Sequence, residues 1–117
     1  MSEAFIPVVA VADIPDNGKF AGQVNGWHVL ICKVDGGYVA VNDRCTHAAS
    51  ALAGGRIRRG TIMCPLHGAR FDLATGNCMG GIYKALRMFP SRTRNGLIEV
   101  AVPETVPGME DLPVSIG

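Results

Sequence analysis

The sequence has no long hydrophobic run, few cysteines and no net excess of either charge. Its longest apolar stretch, residues 4–12, is interrupted by Pro7 and is too short to cross a membrane. No basic region precedes that stretch, so a secretory signal peptide is not expected. Four cysteines in 117 residues are too few for a disulfide scaffold. These absences predict a cytoplasmic protein with no membrane segment.

The near-neutral total hides an uneven distribution of charge. The formal net charge is +1, which argues against a general nucleic-acid binder. Residues 44–94 nevertheless hold nine Lys or Arg and one acid, whereas the two flanks hold two Lys and nine acids. The middle is therefore formally +8 and the flanks together −7. Arg56, Arg58 and Arg59 in the middle are compatible with either a solvated face or a docking patch.

A helical repeat of apolar residues is also missing. No window keeps such a repeat for three turns without one of the 15 glycines or 7 prolines. Short runs rich in Val, Ile and aromatic residues predict strands instead. They lie at residues 5–11, 27–34, 38–42, 61–63, 69–73, 85–89 and 97–102. Glycine-containing turns are expected at residues 35–37, 74–77 and 94–96. The length fits one domain, and the pattern predicts an all-β sandwich or barrel.

Two pairs of metal-binding residue types stand out. His47 follows Cys45 by two positions, and His67 follows Cys64 by three. Coincidence of both spacings by composition alone has odds on the order of one in a hundred. A zinc ion takes two Cys and two His, but zinc fingers usually place the two cysteines together. Mixed pairs facing each other suit a two-iron cluster held by two Cys on one iron and two His on the other. A zinc-binding interaction module remains the alternative.

These motifs carry a family resemblance. The runs Cys-Thr-His at residues 45–47 and Cys-Pro-Leu-His-Gly at residues 64–68 resemble the Rieske motif, and residues 70–76 and 84–90 support it. Over residues 4–104 the chain is similar to the small Rieske ferredoxins of bacterial aromatic-ring-hydroxylating dioxygenase systems.

The resemblance implies a division of the chain. We expect a Rieske fold, in which an antiparallel β-sandwich or barrel forms the base domain and a small β subdomain at about residues 44–82 binds the cluster. Residues 105–117 are expected to form a C-terminal tail. The ends of these segments are predictions of the resemblance alone.

The resemblance also implies a cofactor, partners and site residues. Cys45 and Cys64 would bind one iron of a single Rieske [2Fe–2S] cluster, and His47 and His67 the other. The protein would carry single electrons from a flavin-dependent ferredoxin reductase to a terminal oxygenase and catalyse no reaction alone. Neither nucleic acid nor a membrane is an expected partner. A Rieske small subunit of an assimilatory nitrite reductase is the alternative within the same family.

The sequence departs from the Rieske proteins of respiratory complexes. Ser50 and Leu66 stand where those proteins carry a disulfide, and Ala69 and Phe71 stand where they carry hydroxyl groups. Fewer hydrogen bonds to the cluster lower its reduction potential, so we expect a value of about −150 mV, at the low end of the Rieske range. The third loop, residues 79–83, lacks the usual prolines, so its conformation is open.

The remaining cysteines and histidine have other expected roles. Cys32 alternates with Leu30 and Val34 in a predicted strand, which favours a buried structural thiol over a ligand. Cys78 is expected to be a free thiol near the third loop, and His28 a structural residue of a strand.

Overall fold

Ten antiparallel strands run through the part of the chain that the computed structural model describes, residues 4–46, 50–65 and 68–113. The strands are β1 (Phe5–Ala10), β2 (Lys19–Val24), β3 (Trp27–Val34), β4 (Gly37–Asn42), β5 (Arg56–Arg58), β6 (Thr61–Met63), β7 (Arg70–Asp72), β8 (Met88–Phe89), β9 (Ser91–Arg94) and β10 (Leu97–Ala101). Short 3₁₀ helices cover Val11–Asp13, Leu52–Gly54 and Met109–Asp111. The predicted all-β class is confirmed.

The strands form three sheets. Two of them, with orders β1-β10-β9 and β2-β3-β4-β8, make up the base of the molecule. The third, β5-β6-β7, contains only three-residue strands. The fold is thus a two-sheet base with a small additional sheet, as the resemblance to Rieske ferredoxins implies.

Four of the hairpins share one turn geometry. Residues 25–26, 35–36, 59–60 and 95–96 connect successive strands, and both residues of each pair have positive φ. This is the type I′ turn, whose twist matches that of the flanking strands and which favours Asn-Gly and Asp-Gly. The turns predicted at 35–37 and 94–96 are confirmed in this way.

Strand β3 separates two cores. Val29 and Ile31 on one face and Leu30 and Cys32 on the other are all fully buried, because residues alternate between the faces of a strand. The first core, which we call the base core, contains Val9, Ile14, Val24, Trp27, Val29, Ile31, Ala40, Phe89, Ile98, Val100 and Val102. The second, the cysteine core, contains Leu30, Cys32, Val41, Cys45, Leu52, Ile62, Cys64, Phe71, Leu73, Cys78 and Leu86.

The sequence predicted the inner strands better than the edge strands. Strands 27–34 and 61–63 have the predicted bounds, and the strand predicted at 85–89 is shortened to β8. Strands β2, β5 and β9 were not predicted, and each lies at the edge of its sheet. Their residues are mostly polar or exposed, so they lack the apolar signal of a strand buried on one or both faces.

The segment after β10 is fixed by side chains of the base. Trp27 Nε1 donates to the Thr105 carbonyl at 2.9 Å, and Asn42 Nδ2 donates to the Asp111 carbonyl at 2.9 Å. Arg44 Nε donates to the Leu112 carbonyl at 3.1 Å. The described residues contain no helix long and apolar enough to cross a membrane.

Candidate metal centre

The first candidate ligand loop begins at Cys45, three residues after β4 ends. The Cys45 amide donates to the Ser50 carbonyl at 2.7 Å, which closes the loop at its base. The Cys45 side chain is fully buried. A thiol is thereby held inside the protein at the point where the chain enters this loop.

Asp43 connects this loop to strand β3 and to the 3₁₀ helix at Leu52–Gly54. The sequence motifs do not predict this role. Its carboxylate oxygen Oδ1 accepts from the amides of Leu52 at 2.6 Å and Ala53 at 3.0 Å, and its own amide donates to the His28 carbonyl at 2.9 Å. Burial raises the pKa of Asp43, while the two amide hydrogen bonds oppose the rise. The sequence signal for this role is a single acidic residue two positions before Cys45, because Asp side chains often accept hydrogen bonds from nearby backbone amides.

The second candidate ligand loop connects β6 to β7. The Cys64 amide donates to the Ala69 carbonyl at 2.7 Å, and the Gly68 amide donates to the Cys64 carbonyl at 3.1 Å. Gly68 has a φ of +74°, a conformation that glycine adopts without steric cost. The Cys64 side chain is only 1% exposed, so this loop also begins at a buried thiol.

The two loops bring two thiols into one core. Cys45 and Cys64 both belong to the cysteine core, and thiolates are the preferred ligands of iron–sulfur clusters and of zinc. Two buried cysteines at the bases of two closed loops fit the cysteine half of a [2Fe–2S] ligand set. No disulfide joins any two of the four cysteines, all of which lie within the described residues.

The histidine half falls outside the described residues. His47 lies in the gap at 47–49 and His67 in the gap at 66–67. The described residues alone do not bring three His, Cys, Asp or Glu side chains together. The complete ligand set therefore stays a prediction.

The residue that follows the third loop, Lys84, contacts the first ligand loop. Thr46 Oγ1 donates to the Lys84 carbonyl at 2.6 Å. Gly80 and Gly81 both have positive φ, and the Gly81 amide donates to the Cys78 carbonyl at 3.0 Å. Glycine thus supplies the turn in a loop that lacks proline, and this loop leaves Ile82 74% exposed.

The other candidate residues have structural surroundings. Cys32 is fully buried, as predicted, and this burial raises the pKa of Cys32 to about 12. Cys78 is 8% exposed, and its thiol contacts the Met79 carbonyl at 3.5 Å. His28 lies in β3 and is half-buried. Phe71 is fully buried in the cysteine core, which agrees with its lack of a hydroxyl group.

Two open cavities adjoin the second loop. One of about 410 Å³ is lined by Gly54, Gly55, Arg56, Met63, Cys64, Pro65 and Gly68. The other, about 490 Å³, is lined by Arg56, Arg58, Arg59, Thr61, Met63, Arg70 and Met79. They share the lining residues Arg56 and Met63, so the second cavity, a basic groove, borders the cavity beside Cys64.

Comparison with known proteins agrees with the fold and with the family resemblance. The profile of the Rieske [2Fe-2S] domain matches residues 4–90. The ferredoxin component of a naphthalene 1,2-dioxygenase system from Pseudomonas aeruginosa is 34% identical over 79 residues, 68% of this chain and 76% of its own length. The ferredoxin subunit of a 3-phenylpropionate/cinnamic acid dioxygenase from Photorhabdus laumondii subsp. laumondii is 32% identical over 107 residues, 89% of this chain and 98% of its own.

A solved structure shows the same architecture. The ferredoxin of Sphingomonas yanoikuyae B1 superposes with a TM-score of 0.78 at 25% identity, covering 86% of this chain and 100% of that one. These relatives favour the ferredoxin interpretation over the nitrite reductase alternative.

Proposed function

The chain belongs to the Rieske [2Fe-2S] domain family, and on that premise we propose that it is the electron-transfer ferredoxin of an aromatic-ring-hydroxylating dioxygenase system. The observation that carries the proposal is the pair of buried cysteines at the bases of two closed loops in one core. Relatives that match most of the chain are ferredoxin components of such systems. The cofactor is one Rieske [2Fe–2S] cluster.

Each proposed ligand has a distinct task. Cys45 and Cys64 would hold one iron as thiolates, and His47 and His67 would hold the other. When bound, the cluster supplies reversible one-electron chemistry. Phe71 and Leu52, both fully buried in the cysteine core, exclude water from the cysteine side. Fewer hydroxyl groups near the thiols favour the lower end of the Rieske potential range, about −150 mV.

The proposed partners follow from this carrier role. A flavin-dependent ferredoxin reductase would donate electrons in the cytoplasm, where reduced nicotinamide cofactors are available, and a terminal oxygenase would accept them. The chain itself would catalyse no reaction, since the substrate chemistry belongs to the oxygenase. An assay with purified reductase and oxygenase should require the chain for product formation, whereas product formation without it would contradict this role.

The direct test is the composition and spectrum of the purified protein. We expect two iron and two acid-labile sulfide atoms per chain, the content of one [2Fe–2S] cluster, with a Rieske EPR signal after reduction. One zinc per chain without sulfide would show instead that the chain is a zinc-binding module.

Variants with internal controls test the ligand assignment. Cys45→Ser, Cys64→Ser, His47→Ala and His67→Cys should each abolish the Rieske EPR signal, because each removes one ligand of the proposed set. Cys32→Ser, Cys78→Ser and His28→Asn change the same residue types outside that set and should retain the signal. An unchanged spectrum in any of the first four variants would remove that residue from the ligand set.

A further inference from the structure

The outward face of the small sheet is strongly basic. In its two antiparallel pairs, Arg56 lies opposite Met63, which lies opposite Arg70, and Arg58 lies opposite Thr61. Ile57, Ile62 and Phe71 alternate with these residues and face the protein interior. The exposed arginines therefore share one face of the sheet, and with Arg59 they line the 490 Å³ groove.

Little within the protein offsets this charge. The ion pairs of the described residues involve Lys33, Arg87 and Arg92, not the four arginines of the groove. The acid on the same face is Asp72, opposite Thr61, and its Oδ1 accepts from the Ala74 amide at 2.8 Å. None of the groove-lining residues is acidic. Four exposed guanidinium groups are thus available to an external anionic partner.

Arg59 occupies a position that its side chain does not favour. It is the first residue of a type I′ turn, with a φ of +51°. The equivalent residue of the other three type I′ hairpins is Asn25, Asp35 or Asn95, residue types that tolerate this region. Three of the four type I′ turns therefore carry a favoured residue at this position, whereas the turn beside the groove carries an arginine. Such strain at one turn suggests a function that the arginine serves.

We propose that this groove is a docking surface for the acidic face of a redox partner protein, with Arg56, Arg58, Arg59 and Arg70 binding its carboxylates. The proposal rests on the proposed electron-transfer function and names the chemistry of the partner. Guanidinium groups bind carboxylates through two parallel hydrogen bonds, which gives geometric specificity. The groove shares Arg56 and Met63 with the cavity beside Cys64, so a partner bound there lies close to the candidate metal centre.

The composition of the groove favours a protein over a nucleic acid. Arginine and methionine are both enriched in protein interfaces, and Met63 and the 52% exposed Met79 line the groove between the arginines. The described lining contains no aromatic side chain, whereas single-stranded nucleic acid is usually bound by stacking on aromatic rings.

The first experiment measures electron transfer from the reduced holoprotein to two haem proteins of opposite charge. Acidic cytochrome b5 and basic cytochrome c each accept one electron, which converts ferric haem to ferrous haem. We expect the cytochrome b5 rate to fall as salt is raised and the cytochrome c rate to rise or stay flat. Calorimetric titration with oxidised cytochrome b5 gives a binding readout that does not depend on electron transfer.

Charge variants assign the effect to the groove. The Arg58→Gln/Arg70→Gln pair should slow cytochrome b5 reduction at low salt roughly tenfold and weaken its binding. Arg58→Lys/Arg70→Lys, which keeps the charge, should restore most of the rate. Lys19→Gln/Arg94→Gln removes the same net charge from the base and should change the rate less than about twofold, because screening weakens distant charges. If the double substitutions in the groove and in the base slow cytochrome b5 reduction equally, the proposal is wrong.

A turn exchange separates docking from stability. Arg59→Asn restores the favoured turn residue, so it should raise Tm by a few degrees while slowing cytochrome b5 reduction. Asn95→Arg, the reverse change in the β9–β10 hairpin, should lower Tm and leave the rate unchanged. If Arg59 has only a structural role, its substitution will change Tm but not the rate of cytochrome b5 reduction. That result would remove Arg59 from the docking surface.

Three further outcomes would contradict either the proposed function or the docking proposal. A protein without the Rieske EPR signal would contradict the proposed function before docking is tested. A protein with the normal signal and fast electron transfer, but no dependence on salt or on the arginines, would contradict docking alone. Arginine-dependent retention of an oligonucleotide or of phosphatidylserine vesicles, with unchanged cytochrome b5 rates, would identify a different class of partner and overturn the proposal.

Discussion

The two cores of the molecule are built from different kinds of residue. The base core is entirely aliphatic and aromatic and contains no cysteine. The cysteine core contains all four cysteines of the chain. The base packs two sheets whose longest strand has eight residues, whereas the small sheet has strands of three residues only. One region thus resembles an ordinary sandwich, and the other surrounds the candidate cysteine ligands with short strands.

This difference indicates how each region is stabilised. A sheet of such short strands has few backbone hydrogen bonds and little apolar surface of its own. Metal binding can supply folding free energy directly, because the ligands are not preorganised in the unfolded chain. We infer that the small sheet and its loops depend on the metal, whereas the base depends on its hydrocarbon core.

Removal of the metal should have the largest effect. A chelator used with a reductant should leave β3 and β10 protected from amide hydrogen exchange and expose β6 and β7, with protection lost on the order of a hundredfold or more. Hydrogen exchange followed by mass spectrometry measures both regions in one sample. Equal loss of protection in all four strands would show that the two regions form one cooperative unit.

A matched pair of core substitutions should separate the two regions next. Ile98 in the base core and Ile62 in the cysteine core are both fully buried, and each change to Ala should cost about 2–5 kcal/mol. Ile98→Ala should lower the Tm of both the holoprotein and the metal-free protein. Ile62→Ala should mainly shorten the lifetime of the visible cluster absorption. If Ile62→Ala lowers the metal-free Tm as much as Ile98→Ala does, the division between the cores is wrong.

The same contrast explains what could be predicted from the sequence. Strands β3 and β10 are largely buried and rich in apolar residues, so the sequence predicts them directly. Strands β5 and β9 consist of Arg-Ile-Arg and Ser-Arg-Thr-Arg, and such polar edge segments become strands only through pairing with a neighbour. That pairing is a tertiary effect, which local composition does not encode.

For the candidate site, spacing predicts Cys45 and Cys64 as ligands, because metal ligation demands particular residue types at particular intervals, and the structure places both in one core. Asp43 escaped notice, since its role depends on the amides of Leu52 and Ala53, nine and ten residues away. The groove arginines were visible as a charge cluster. Their placement on one face became clear only from the register of β5, β6 and β7.

Loss of the Asp43 carboxylate should weaken the connection between the two regions. Asp43→Ala leaves the Leu52 and Ala53 amides without their acceptor, at a cost of about 1–3 kcal/mol, and should speed cluster loss. Asp43→Asn keeps one acceptor oxygen and should have a smaller effect. Asp16→Asn alters an 86% exposed carboxylate that pairs with Lys33 and serves as the control. Cluster lifetimes that are equal in the Asp43→Ala and Asp16→Asn variants would exclude this anchoring role.

The last effect is absent at neutral pH and appears only at high pH, where it concerns the buried Cys32 thiol of β3. Burial, partly opposed by Lys19, raises the pKa of Cys32 from 9.0 to about 12. Above pH 9 the thiol ionises in the unfolded chain and stays protonated in the folded one, so folding loses about 1.4 kcal/mol per pH unit until the folded pKa is reached. Urea unfolding of the wild type and Cys32→Ala below and above pH 9 should therefore show a stability difference that narrows as pH rises. A constant difference would mean that Cys32 ionises equally in both states, and hence that its thiol is not shielded from water in the folded protein.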